Sequence, residues 1–325
     1  MRKEDLRIVF MGTPEIAVAS LEAILENGFN VVGVITAPDK PAGRGRKIRF
    51  PEVKQFALDK NLHIMQPENL KEPAFIENLA ALKPDVQVVV AFRMLPKVVW
   101  ALPPHGTFNL HASLLPDYRG AAPINWVVIN GETRTGVTTF FLDEEIDTGK
   151  IIEKKEVEIY PDDTAGSLHD RLKTTGADLV VETLHKILKG NVETKSQDLL
   201  ISGHRPLKKA PKIFREDCRI DWNKPSYHIV NLIRGLNPVP GAFTELNTNN
   251  ENDELFMMKI FEAEGIIDEH NFEPGKLFTD NKNYIKISTP DGFISVKNMQ
   301  AAGKKRMNTE DFLRGYDFSP FHDLH

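Results

Sequence analysis

The chain has 325 residues and a single cysteine, Cys218, which excludes an intrachain disulfide and any cluster of thiolate metal ligands. The fold must therefore stand on packing, in a reducing compartment. No apolar run approaches the roughly 18 residues that span a bilayer, and Met1-Arg2-Lys3-Glu4-Asp5 lacks the apolar core of a signal peptide. The expectation is a cytoplasmic protein without a membrane partner. Gly12-Thr13-Pro14-Glu15-Ile16-Ala17 offers one glycine where a dinucleotide-binding turn needs three. The ten histidines include no HExxH pair, so no metal is expected. Asp147-Thr148-Gly149 has the tripeptide of aspartic proteases, but occurs once where that chemistry needs two facing carboxylates. The net charge of −5 argues against wholesale coating of nucleic acid, although a mean charge can hide local clusters.

What is present is ordinary globular composition, 41% hydrophobic and 27% charged, with room for two domains at roughly 150 residues each. The first half alternates β-rich runs (6–10, 31–36, 62–65, 86–91, 107–111, 136–142) with amphipathic stretches near 51–60, 73–82 and 123–130. This is the pattern of an α/β, Rossmann-like, mostly parallel sheet with crossover helices. Thr13 offers an N-cap and Pro14 an N1 residue for a first helix carrying Ala17, Leu21, Ile24 and Leu25 at helical spacing. A long helix over 164–188 is stopped by Gly190. Residues 191–224 show no period and carry Gly203, Pro206 and Pro211, as a linker would. Short apolar runs from about 213 onward read as a smaller β-rich, OB-like barrel. The expected organisation is a catalytic domain at 1–190, a linker at 191–212 and a C-terminal β-rich domain at 213–325, with a polar hairpin tip at 247–254.

The segment richest in chemistry is Phe108-Asn109-Leu110-His111-Ala112-Ser113-Leu114-Leu115-Pro116. Period-two alternation places Asn109 and His111 on one face of a strand, near the carboxyl end, where open α/β sheets bind ligands. Polar groups on a strand buried on both sides need partners, since an unpaired buried amide or imidazole is costly. A hydrogen-bonded structural histidine is the alternative for His111, and a turn-forming aspartate before Thr-Gly is the alternative for Asp147.

Extended through Gly131, Gly136-Val137-Thr138 and Ile146-Asp147-Thr148-Gly149, the segment resembles the folate-dependent formyltransferases, and the likeness covers nearly the whole chain. The resemblance implies a catalytic trio of Asn109, His111 and Asp147. It also implies a tetrahydrofolate-binding stretch at Ser113, Leu114, Leu115 and Pro116, with 10-formyltetrahydrofolate as formyl donor. One departure is Arg93, in Phe92-Arg93-Met94, where the family pattern has a glycine. The chemistry suits the residue types. An amine attacking a formamide carbon makes an oxyanion, for which the Asn109 amide and a protonated His111 are donors. Asp147 beside His111 would orient the ring, favour its charged form and help accept the amine's proton.

Three basic clusters lie on this acidic chain: Lys40, Arg44, Arg46, Lys47 and Arg49 in a Gly- and Pro-bearing loop; Lys208, Lys209 and Lys212; and Lys304, Lys305 and Arg306. Each alone could be a solvated surface; together they suit an RNA phosphate track. The branch of the family that the chain resembles most implies initiator methionyl-tRNA as the acceptor and a monomeric enzyme. The alternative acceptor is a small amine such as an amino-sugar nucleotide or glycinamide ribotide.

Overall fold

The structure is a computed structural model that describes residues 2–42, 47–201, 206–247 and 255–316. It divides into two compact units: residues 1–120, 134–158 and 169–209 in one, and 121–133, 159–168 and 210–325 in the other. The two units interleave along the chain.

The first unit is built on one seven-stranded sheet in the order Ile151–Glu158, Arg134–Phe141, Thr107–His111, Val86–Val90, Arg7–Gly12, Asn30–Ile35, Ile64–Met65. The five strands from Thr107–His111 to Ile64–Met65 are parallel, as the βα alternation leads one to expect. Arg134–Phe141 and Ile151–Glu158 are antiparallel additions. The last of these is absent from the sequence reading because Glu153-Lys154-Lys155-Glu156 breaks any apolar pattern; an edge strand with one partner tolerates such charge. Val9, Met11, Ile35, Leu79, Val89 and Val99 pack one face of the central strands.

Three local expectations shift. The first helix begins at Glu15, with Pro14 extended (φ −85°, ψ 177°) as its N-cap and no side-chain cap from Thr13. Proline still ends the strand and presets the turn, but from one position outside the helix. The cationic loop, read as irregular, has ordered flanks: Lys40–Ala42 pairs antiparallel with Lys47–Arg49. The stretch 191–224, read as having no period, likewise contains short 3-10 turns at Gln197–Leu200 and Glu216–Cys218. Gly190 does end helix Ala165–Leu188, at φ +68°.

The second unit is organised around an antiparallel sheet in the order Ala242–Asn247, Leu255–Ile267, Gly292–Ala301, Ile285–Thr289, Leu277–Thr279, with Met307–Asn308 added on Gly292–Ala301. Helices Pro123–Ile129 and Ser226–Gly235 belong to it. Trp222, Ile233, Met258, Ile260, Ile285, Ile287, Ile294 and Met299 form its core. The expected hairpin tip falls mainly on 248–254, outside the described residues.

Candidate active site

Strand Thr107–His111 lies between Val86–Val90, where Val89 faces Asn109, and Arg134–Phe141, where Phe140 faces Asn109 and Thr138 faces His111. Flanked on both sides, it turns Asn109 and His111 onto the same face. His111 is buried at 6% exposure. Its Nε2–H donates to the Tyr118 carbonyl oxygen at 2.8 Å, and a carbonyl can only accept, so this bond assigns the ring's orientation. Nδ1 is then the nitrogen left for chemistry, and it faces Asp147 Oδ2 at 3.9 Å. Sequence reasoning gives the orienting role to Asp147. The direct hydrogen bond is to Tyr118 instead, because 3.9 Å is an ion-pair separation and not a hydrogen bond. Tyr118 holds a left-handed backbone (φ +61°) and donates its own N–H to the Lys208 carbonyl at 2.6 Å.

Asp147 arrives by an indirect route. Its loop follows a strand running antiparallel to the His111 strand, with Phe141 opposite Phe108, so the loop leaves the sheet at the end away from His111. It nevertheless brings the Asp147 carboxylate to within 3.9 Å of His111. Asp147 is left-handed (φ +57°), and its Oδ2 accepts the Gly120 N–H at 3.0 Å. Within the loop, Thr148 Oγ1 donates to Asp143 Oδ1 at 2.8 Å. Gly149 is required by space: a Cβ there would overlap the Phe141 carbonyl oxygen.

The Asn109 Oδ1 is buried and has no hydrogen-bond partner. A buried carbonyl left unmatched costs about 1–3 kcal/mol, so a donor brought by a ligand would be strongly favoured here. Ser113 to Pro116 form the adjacent loop. Ser113 is fully buried, with its hydroxyl on the Asp117 carbonyl at 2.7 Å. Thr138 Oγ1 donates to the Ser113 carbonyl at 2.6 Å and accepts the Leu115 N–H at 3.2 Å. The Leu115–Pro116 bond is cis, and the Leu115 carbonyl accepts from Lys154 Nζ. Burial pulls that ammonium below its ordinary value, against the opposing attraction of Asp117. Leu114 packs where Gly136 leaves room for it.

The basic residues divide. Lys208 and Lys209 are exposed, and the Lys208 N–H donates to Asp117 Oδ1 at 3.1 Å, which docks this part of the linker on the loop next to His111. Lys40 is exposed, and exposed Arg49 pairs with Glu52 at 2.8 Å. The stem of their loop is anchored by Asp39, whose carboxylate takes Gln66 at 2.8 Å and Lys54 at 2.5 Å. Those two donors hold Asp39 below the ordinary carboxylate range. Arg44 and Arg46 lie outside the described residues, and of Lys47 only the backbone strand is described. Lys304 and Lys305 are exposed on the second unit. Arg93, the departure from the family pattern, donates to the carbonyls of Pro67 and of Glu68 (2.8 Å), tying the loop after strand Val86–Val90 to the one after Ile64–Met65. Burial lowers its pKa.

Sequence reasoning assigns no role to Tyr118, Thr138 and Lys154, nor to Gln197, whose Nε2–H donates to the Asp147 carbonyl at 2.9 Å. Tyr118 acts through its backbone, which no residue pattern announces, and Gln197 lies in the stretch read as mere linker. No group of three or more His, Cys, Asp or Glu side chains among the described residues is placed to hold a metal ion.

Residues 6–184 match the family described as "Formyl transferase", and 212–317 match "Formyl transferase, C-terminal domain". The chain is 55% identical over 320 residues to a methionyl-tRNA formyltransferase of Bacteroides thetaiotaomicron, covering 98% of each chain. It is 52% identical to one of Flavobacterium johnsoniae, covering 97% of this chain and 98% of that one. In fold it is similar to the crystal structure of an N-formyltransferase from Helicobacter canadensis with folinic acid and dTDP-3-aminofucose. There the TM-score is 0.63 at 23% identity, over 93% of this chain and 100% of that one. With both family matches and near full-length identity above half, the chain belongs to the formyl transferase family.

Proposed function

We propose that this chain transfers the formyl group of 10-formyltetrahydrofolate to the α-amino group of initiator methionyl-tRNA, as a monomer in the cytoplasm. The observation that carries the chemistry is the juxtaposition of buried His111 with Asp147 at 3.9 Å and, on the same strand face as His111, the unmatched Asn109 Oδ1. The amine nitrogen bonds to the formyl carbon, the carbonyl oxygen takes the negative charge, and the carbon–N10 bond then breaks. N10 gains a proton as the amine loses one. Asn109 supplies both halves of its amide: Nδ2–H to the developing oxyanion, and Oδ1 to an N–H of the incoming amine. His111, its Nε2–H already committed to Tyr118, presents protonated Nδ1 as the second oxyanion donor. Asp147 stabilises that charged ring and accepts the amine's proton, directly or through water. Ser113, Leu114, Leu115 and Pro116, clamped by Thr138 and Lys154, form the folate-side wall.

Support for a tRNA acceptor comes from the near full-length likeness to proteins named methionyl-tRNA formyltransferase, which extends over the second unit. Lys40, Arg44, Arg46, Lys47, Arg49, Lys208, Lys209, Lys304 and Lys305 are the proposed phosphate contacts. The test compares formyl transfer from 10-formyltetrahydrofolate to methionyl-tRNA with transfer to amino-sugar nucleotides and glycinamide ribotide. Preference for the charged tRNA is expected. Efficient use of a small amine with no transfer to methionyl-tRNA would overturn the reading.

A further inference from the structure

The Asp147 loop raises a physical question: what holds it against the direction in which it leaves the sheet? Its aspartate sits in a left-handed conformation that a non-glycine residue adopts at a cost, and its carboxylate has one described hydrogen bond, from Gly120. The backbone of the turn is gripped from elsewhere. Gln197, only 1% exposed, donates Nε2–H to the Asp147 carbonyl at 2.9 Å and to the Gly149 carbonyl at 2.8 Å. Its Oε1 accepts from the Arg119 guanidinium at 3.0 and 2.6 Å. The amide cannot be reversed, since carbonyls do not donate and a guanidinium does not accept. Arg119 immediately precedes Gly120, whose N–H binds the Asp147 carboxylate. One buried side chain thus ties both ends of the Asp147 turn to the segment that also carries Tyr118, the residue orienting His111.

From this geometry we infer that Gln197 is a positioning residue for catalysis, acting through Asp147. The inference rests on the role given to Asp147 in the proposed function. The Gln197 amide spends its donors on the turn and its acceptor on Arg119, so Gln197 itself touches no substrate. Its contribution is to keep the carboxylate within reach of His111 Nδ1. A displacement on the order of 1 Å at such a group can cost roughly 100-fold in rate.

The test uses the full chain with Gln197→Met, which keeps length and burial but loses all the hydrogen bonds. A second variant, Gln197→Glu, keeps the pair with Arg119 but sets carboxylate oxygens against two carbonyls. Both are expected to lower kcat by about 10–100-fold, while KM for formyl donor and tRNA changes less than about 3-fold. Combined with Asp147→Ala, Gln197→Met should add less than about 2-fold, because the two act as one unit. Amide hydrogen exchange over 142–150 should accelerate in the Met variant without a general rise elsewhere. Unchanged kcat in both variants, full multiplication of the two effects, or unchanged exchange in the loop would overturn the inference. If the unaltered chain transfers no formyl group, the proposed function falls, and the exchange result still decides whether Gln197 holds the turn.

Discussion

The two units treat buried polar groups in opposite ways. In the first, buried side-chain atoms stand without a partner at Ser20, Thr36, Gln87, Asn109 and Thr135. Among the described residues of the second there is no such atom. There Ser226 Oγ is shared with Thr289 and Asp291 at 2.7 Å, Trp222 Nε1–H donates to Thr244 Oγ1 at 3.1 Å, and Thr309 Oγ1–H reaches the Val296 carbonyl at 2.6 Å. The second unit spends its polarity on its own architecture. The first leaves some of it uncommitted, at a cost in stability, and Asn109 shows why: it stands on the same strand face as His111. Among the described residues, the unmatched Asn109 Oδ1 on the strand face of His111 has no counterpart in the second unit.

The largest expected effect of testing this contrast is at His111. His111→Ala should lower kcat by about 100–1,000-fold, the scale for removing one oxyanion donor, with little change in KM for the folate. A steady-state comparison checks it; a pure rise in KM would place His111 in ground-state binding.

The second unit should respond in stability and not in rate. Burial pushes the Asp291 carboxyl up, but hydrogen bonds from the Ser226 N–H, the Ser226 hydroxyl and Thr289 outweigh it and hold the group below its ordinary value. A carboxylate with a depressed folded pKa stabilises the fold fully above its unfolded pKa of about 4, and that contribution is lost as pH falls through the folded value. Asp291→Ala should cost about 1–3 kcal/mol at neutral pH and flatten the acid dependence of unfolding, followed by tryptophan fluorescence. Equal acid sensitivity in the variant would remove Asp291 from the account.

The smallest effect is expected at exposed Lys304 and Lys305. Replacing both with Gln should leave stability and folate use intact and reduce the salt dependence of tRNA use, by a log–log slope of roughly 0.7–0.9 for each phosphate that is no longer neutralised. An unchanged slope would make them a solvated surface.

The sequence discloses much of this. The strand over 107–111 is where periodicity puts it, and Asn109 and His111 share a face as alternation requires. It discloses less where backbone does the work. The Tyr118 carbonyl orients His111, yet a carbonyl belongs to every residue. Gln197 is invisible in sequence because its partners, Asp147 and Gly149, lie about fifty positions away, and a linker glutamine has no periodic signature. Strand Ile151–Glu158 is hidden by its own charges. The path of the Asp147 loop depends on Arg134–Phe141 joining the sheet antiparallel, which is a matter of topology and not of local residue type.

The most direct measurement is on Asn109→Ala, with kcat and thermal stability determined on the same preparation. The account predicts a fall in kcat of about 100-fold or more with a melting temperature unchanged or raised, because the substitution also removes a buried acceptor that has no partner. A variant that keeps its activity, or that loses activity only in proportion to a loss of folded protein, would contradict it.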